Sequence, residues 1–285
     1  MTYDPGMSSN SGERPAGARP QIMVTNDDGI DSPGLIAAVK AVSGLGQVTV
    51  AAPTTQQTAR GRSLQGNRSD TLHPVQLDGV DSSVKAYHLD ASPALVVRHA
   101  LMVLYAEGMP DVVVSGINFG ENLGSNITIS GTVGAALQAA SHGIPSIAAS
   151  RQTAIKHHFK YGKLDWQDAI RVTREYTARL LQAAGLNEPL PFDVLKIDVP
   201  DPCPAGIEER FTVLSRQPYY LPLYRNPHPE SAIREAATTI NDDIASLDPG
   251  DDIYALLVDR VVSITPLTLD CTAPFRESIA RLQLR

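Results

Sequence analysis

The chain carries only two cysteines, Cys203 and Cys271, in 285 residues. That count leaves no room for a disulfide framework or a thiolate metal site. Basic runs are missing as well. The 24 Lys and Arg are outnumbered by 31 Asp and Glu, for a formal net charge of −7. A nucleic-acid polymer needs clustered Lys and Arg and is not an expected partner, although a free nucleotide stays open. No apolar run reaches the roughly 20 residues that span a bilayer. The N-terminus also lacks the apolar core of a signal peptide. A cytoplasmic, reducing setting without membrane contact is therefore expected. The seven histidines show no zinc-type spacing, and the adjacent pair His157-His158 reads as surface. No Gly-x-Gly turn follows the first strand, which argues against a nicotinamide cofactor.

Apolar residues make up 42% of the chain, enough for a sizeable core. The length fits one α/β domain with an appendage. The organising stretch is Ile22-Met23-Val24-Thr25-Asn26-Asp27-Asp28-Gly29-Ile30-Asp31-Ser32-Pro33-Gly34. It opens as a short β-branched run, a buried strand, and breaks at once into an acidic turn. Ser32-Pro33 then caps and starts a helix. Gln47 to Pro53 and Asp111 to Val114 read as further core strands, followed by Ser146 to Ala149. The helices between them are expected over about 33–43, 92–106 and 130–142. A small hairpin is expected across Asp78-Gly79. This alternation predicts a Rossmann-like, doubly wound, mostly parallel sheet. Beyond residue 150 the pattern predicts a helix over 164–184 and strands over 194–199, 211–215 and 261–266, with a closing helix.

Three strand ends carry polar groups that could converge. Asp27-Asp28 follow the first strand, Thr58 lies in the loop after the second, and Asn118 follows the third. Adjacent carboxylates repel unless a cation or hydrogen-bond donors lie between them. A donor set made only of oxygen suits a hard divalent ion, one Mg²⁺ or Mn²⁺. Ser130-Gly131-Thr132 opens a helix whose free N–H groups make an anion site. Taken singly, each of these is also an ordinary turn, cap or loop asparagine.

Their order is what carries the reading. Asn26-Asp27-Asp28-Gly29, Ser115-Gly116-Ile117-Asn118-Phe119-Gly120-Glu121-Asn122 and Ser130-Gly131-Thr132-Val133-Gly134 together resemble the survival protein SurE family. Those proteins are metal-dependent 5′/3′-nucleotidases and acid phosphatases. The resemblance spans about residues 21–150 and returns at Leu195 to Pro200 and Val262 to Leu267. It implies that Asp27, Asp28, Thr58 and Asn118 are metal ligands, with Asp27, Asp28 and Asn118 catalytic. It also implies that Asn122, Ser130, Gly131 and Thr132 face the phosphate. Whether Asp27 or Asp28 acts as base, nucleophile or only ligand stays open. Other readings are a non-catalytic nucleotide-binding protein and a haloacid-dehalogenase-type phosphatase. The latter's two aspartates stand two apart, unlike Asp27-Asp28.

This chain departs from the family pattern around the substrate side. Thr58 replaces the usual Ser, Ala59 the usual Gly, and Ile129 the usual Tyr. Arg60 and Arg62 follow directly. In an extended segment residues two apart share a face, so both guanidinium groups could point into the cleft; the alternative is that both face solvent or pair with Asp and Glu. An inward-facing pair fits a substrate with a second anionic group, such as a modified nucleotide or a phosphorylated sugar acid. Residues 1–20 are expected as a tail and 21–216 as the phosphatase-like domain. Residues 217–250 are expected as an arm and 251–285 as a strand and helix returning to the core. The arm holds Tyr219, Tyr220, Leu221, Leu223 and Tyr224, and the expected assembly is a homodimer or homotetramer.

Overall fold

The computed structural model describes residues 18–273, apart from 159–160, 162–163, 186–188, 205 and 242. Most of the expected N-terminal tail (1–17), and the closing helix expected near the C-terminus, lie outside the described residues.

The first half alternates as predicted. It comprises β1 (Gln21–Thr25), α1 (Pro33–Val42), β2 (Gln47–Pro53), β3 (His73–Val75), β4 (Lys85–Leu89) and α2 (Pro93–Leu104). Then come β5 (Val112–Phe119), α3 (Gly131–Ala140) and β6 (Ser146–Arg151). The second half holds α4 (Gln167–Ala184), β7 (Val194–Val199), β8 (Glu209–Phe211), β9 (Tyr220–Leu223), β10 (Ala237–Ile240), α5 (Asp252–Leu257) and β11 (Val262–Leu267). Nine strands form one sheet in the order β3-β4-β2-β1-β5-β6-β7-β11-β8. The strands from β4 to β7 run parallel. At the edges β3 runs antiparallel to β4, and β11 antiparallel to β7.

Both faces of this sheet are covered, and the two-residue period of each strand decides what faces where. Ile22 and Val24 of β1 pack in one core with Leu35 and Val39 of α1 and Val172 and Leu180 of α4. Met23, between them, turns to the other face, where Val97 and Leu101 of α2 and Ala135 and Ala139 of α3 lie. Strands buried on both sides read as continuous apolar runs, which is why β1 and β5 are rich in Val and Ile. The helix α1 sits very close to β5: a Cβ at Gly34 would lie 2.0 Å from the Ile117 carbonyl oxygen. Only glycine permits that approach.

β1 pairs with β2 on one side and β5 on the other. The chain builds outward from β1 through β2 and β4, then returns to add β5. That reversal is the switch point of a doubly wound sheet, where ligands bind beyond the strand ends.

The structure corrects four details of the sequence reading. β5 does not stop at Val114 but runs to Phe119, with its register against β6 shifting between Ser115 and Asn118. Ser-Gly-Ile-Asn reads locally as loop, and the pairing with β1 and β6 overrides that. The strand expected at 211–215 pairs over Glu209–Phe211 instead. α5, a six-residue helix capped by Asp251, was too short to show a period. The helix expected from 164 begins at Gln167. Within 217–250, β9 and β10 form an antiparallel hairpin outside the main sheet.

Candidate active site

Asp27 and Asp28 lie in the turn that leaves β1 at the switch point. Asn26 shapes this turn: its side chain accepts from the Gly29 N–H at 3.2 Å and donates to the Gly29 carbonyl at 3.0 Å. Ser32 then caps α1, accepting from the Gly34 N–H at 3.2 Å. Both carboxylates are buried, at 6% and 4% exposure.

Asp27 reaches the start of α3. Its Oδ1 accepts from the Thr132 hydroxyl at 2.5 Å, and the backbone N–H groups of Gly131 and Thr132 also favour its charged form. The anion held at this helix start is therefore the protein's own carboxylate. The next helical capping role falls to Ser130, whose Oγ accepts from the Val133 N–H at 3.1 Å. Asp28 turns the other way. Its Oδ2 accepts from the Phe119 N–H at 3.1 Å and its Oδ1 from the Gln56 side chain at 3.0 Å. Asn118 precedes Phe119 and is half-buried. Its amide nitrogen donates to the Gly120 carbonyl at 2.7 Å.

The loop after β2 is tied to the same turn. The Gln57 N–H donates to the Asp27 carbonyl at 2.7 Å, which places exposed Thr58 one residue further on. The Gly61 N–H donates to the Ile129 carbonyl at 2.9 Å, closing this loop onto the approach to α3. Asn122 lies across the end of β6, its amide nitrogen 2.9 Å from the Ser150 hydroxyl. The premise that Arg60 and Arg62 share a face of an extended segment fails. Ala59 and Gly61 adopt φ of 59° and 53°, so the chain twists between them. Arg60 reaches Gln65 at 3.4 Å, whereas Arg62 donates to Gln138 of α3 at 2.9 Å.

Burial sets the electrostatics. Removing the carboxyls from water pushes Asp27 up to about 6, with the Thr132 hydroxyl pulling the other way. Burial pushes Asp28 up to about 8, and the neighbouring Asp27 charge adds to it. Among the described residues neither carboxylate makes an ion pair. Two buried like charges without a cation are what a divalent ion would neutralise. Among the described residues no three His, Cys, Asp or Glu cluster as a metal site, so the ligand set must draw on amide or hydroxyl oxygen. Asn118 and Thr58 supply those types, and the residues present fit a hard cation.

Several groups at this site were not legible in the sequence. Gln56 bridges Asp28 and the His158 carbonyl, the latter at 2.8 Å. The Tyr161 hydroxyl donates to the Asp28 carbonyl, and its ring packs on Phe119 at 4.9 Å. His158, expected at the surface, is half-buried with its ring against Gly120. Burial holds its imidazole below the usual range. None of these sits in a recognisable motif, because each reaches the turn from a distant element.

The fit at Gly131 is tight. A Cβ there would meet Asp27 Cβ and Oδ2 at 2.6 Å. Gly131→Ala is expected to push Asp27 away from the helix start, lowering turnover by about tenfold. Its melting temperature should fall by about 2–4 °C, equivalent to roughly 1 kcal/mol. Unchanged kinetics in the folded variant would show that Asp27 tolerates displacement.

An open parallel α/β sheet with paired carboxylates at its switch point defines a small-ligand protein of the doubly wound class. The chain belongs to the survival protein SurE family, whose profile matches residues 22–220. It is 38% identical over 261 residues to the 5′-nucleotidase SurE of Thermococcus gammatolerans, covering 89% of this chain and 91% of that one. It is 36% identical over 271 residues to the 5′-nucleotidase SurE of Methanococcus maripaludis, covering 92% and 98%. The crystal structure of the SurE protein from Aquifex aeolicus superposes with a TM-score of 0.70 at 28% identity. That match covers 93% of this chain and all of the other.

Proposed function

We propose that this chain is a divalent-cation-dependent phosphomonoesterase that hydrolyses nucleoside monophosphates to the nucleoside and phosphate. The observation that carries it is the buried pair Asp27 and Asp28, which among the described residues has no counter-charge, beside the start of α3. The 5′-nucleotidase relatives support the substrate class. In this reading Asp27, Asp28, Asn118 and Thr58 hold the ion. A bound Mg²⁺ or Mn²⁺ supplies charge neutralisation at the phosphoryl oxygens and acidifies a water. Thr132 and the start of α3 fix the Asp27 carboxylate, and Gln56 and the Phe119 N–H fix Asp28. Preset orientation of this kind lowers the cost of assembling the reacting groups. Asn122 and Ser130 face the phosphate in this reading, while Gly131 and Thr132, expected there, are taken up by Asp27. Arg60, exposed on the loop that carries Thr58 and held among the described residues only by a 3.4 Å bond to Gln65, would meet an anionic substituent on the substrate.

Phosphate release is to be measured over nucleoside 5′- and 3′-monophosphates, sugar phosphates and doubly anionic monoesters. Activity on nucleoside monophosphates should appear with Mg²⁺ or Mn²⁺ and vanish after exhaustive chelation. Full activity in the stripped protein would refute the cation requirement. Arg60→Ala should weaken only doubly anionic substrates, by about tenfold in kcat/KM.

We infer further that the β9–β10 hairpin is an assembly arm. Its base is fixed on its own chain, with the Tyr219 N–H donating to Asn126 at 2.6 Å and the Tyr219 hydroxyl to Glu121 at 2.6 Å. Leu223, near the tip side, and Ile233 are 53% and 89% exposed. Exposed apolar groups on a hairpin outside the main sheet suit a subunit interface. Light scattering at micromolar protein should give a dimer or tetramer mass, and a monomer would remove the arm from consideration.

A further inference from the structure

A cavity of about 560 Å³ lies between the loop after β2, the end of β4 and α2. That volume is typical of sites for small organic ligands. Leu89, Ala91 and Leu95 give it an apolar floor, and Arg68, Arg98 and His99 stand around it. Among the described residues neither Arg68 nor Arg98 makes a hydrogen bond or an ion pair. Arg60 and Arg62, nearby in the chain, bond only to the neutral side chains of Gln65 and Gln138.

This grouping runs against the composition. The chain carries seven more acidic than basic groups; elsewhere Arg151, Arg171, Arg179 and Arg210 find carboxylates, while Arg174 and Arg260 reach backbone carbonyls. Four guanidinium groups that make no ion pair among the described residues form a local positive field in an acidic protein. Arg98 and Arg62 also act together on His142: after burial, their charges hold its imidazole below the usual range. The cavity's one acidic lining residue, Asp70, is already committed. It accepts from the Asp90 N–H at 2.7 Å and pairs with His73 at 2.7 Å.

We propose that this cavity is a second anion site, separate from the Asp27 turn, that binds a phosphate monoester carrying an apolar ring, the nucleoside monophosphate class. The guanidinium forks of Arg68 and Arg98 match a phosphate dianion. The floor of Leu89, Ala91 and Leu95 takes the base. Gln65, which lines the cavity, accepts from Arg60 on the loop that carries Thr58. The Gln65 N–H also donates to Ser92 at the start of α2, at 3.1 Å. An occupant therefore touches the loop that Gln57 ties to Asp27.

The test is calorimetric titration with the methylene phosphonate isostere of AMP, which has no hydrolysable ester, in EDTA. Binding to wild type should weaken about tenfold or more in Arg68→Ala/Arg98→Ala and stay within about twofold in Asp27→Asn. Inorganic phosphate and adenosine should each bind at least about tenfold more weakly than the isostere. Arg68→Gln/Arg98→Gln, which keeps the side-chain bulk, should repeat the loss. Turnover of p-nitrophenyl phosphate by the double variants should stay near wild type. Affinity unchanged in both double variants would overturn the proposal. So would loss of binding in Asp27→Asn, or phosphate alone binding as tightly as the isostere. Because the readout is binding without a cation, it succeeds or fails independently of the proposed hydrolysis.

Discussion

Asp28→Asn is expected to cut phosphate release about a hundredfold or more while making the cation-free protein more stable near pH 8. A hundredfold is roughly 2.7 kcal/mol of barrier. The two effects have opposite signs because they have one cause. Asp28 is buried beside Asp27, with no counter-charge among the described residues, and burial followed by that neighbour pushes its carboxyl up to about 8. The unfolded carboxyl ionises near 3.8. Between those values the folded chain holds a proton that the unfolded chain has released. Stability is then full below about pH 4 and is lost as pH rises towards 8. Asp27, raised to about 6, adds in the same direction over the lower part of that window.

Cation-free wild type should therefore lose at least about 4 °C of melting temperature between pH 5 and pH 8, the equivalent of 1 kcal/mol or more. Asp28→Asn should flatten the curve above pH 6. It gives up one hydrogen bond, since its amide nitrogen meets either Gln56 or the Phe119 N–H, at about 1 kcal/mol. That offsets part of the gain without reversing it at the alkaline end. Mn²⁺ should restore wild type and leave the variant unmoved. Differential scanning calorimetry of both proteins with and without Mn²⁺ decides it. An identical slope in wild type and variant would mean that Asp28 is not the titrating group, and full activity in the variant would mean that it is not needed for catalysis.

The parts of this site that the sequence displayed are those where one short segment does the whole job. Asn26 to Gly34 is strand, turn and cap in consecutive residues, so period and turn chemistry located Asp27 and Asp28. The sheet was legible for a similar reason: Ile22 to Val24 and Val112 to Val114 are buried on both faces and read as unbroken apolar runs. What stayed hidden depends on long-range pairing. Asn118 lies inside β5 because β6 pairs with it at Ser150, although Ser115-Gly116 suggests a loop. Gln56, Tyr161 and His158 carry no signal of their own, and they reach the Asp28 turn only when the fold brings 56 and 161 beside 28. The twist at Ala59 and Gly61, which separates Arg60 from Arg62, is backbone geometry that no spacing rule contains.

Lys196 makes the same point on the stability side, and its replacement should have the largest effect on folding. Lys196-Ile197-Asp198 lies in the stretch read from the sequence as a strand over 194–199. In the structure Lys196 and Asp198 are fully buried. Lys196 Nζ lies 2.5 Å from Asp198 Oδ2 and 3.0 Å from Asp252 Oδ2. Burial alone would pull the ammonium down, but the two carboxylates outweigh it and leave it raised. The carboxylates in turn hold backbone. Asp198 accepts from the Asn122 N–H at 2.7 Å, and Asp252 from the Gly124 N–H at 3.0 Å and the Ser215 N–H at 2.9 Å. One ammonium thus secures the segment leading from β5 to α3, with Asn122 on it. Lys196→Met leaves two buried carboxylates facing each other. Removing one partner of such a group costs about 3–5 kcal/mol, or about 6–20 °C in melting temperature for a chain of this size. The folded fraction should show a raised KM for nucleoside monophosphates, because Asn122 loses its anchor. Lys196→Met/Asp198→Asn/Asp252→Asn removes all three charges and should recover most of the lost stability. A Lys196→Met protein that melts within about 2 °C of wild type would show that the ammonium does not hold this network.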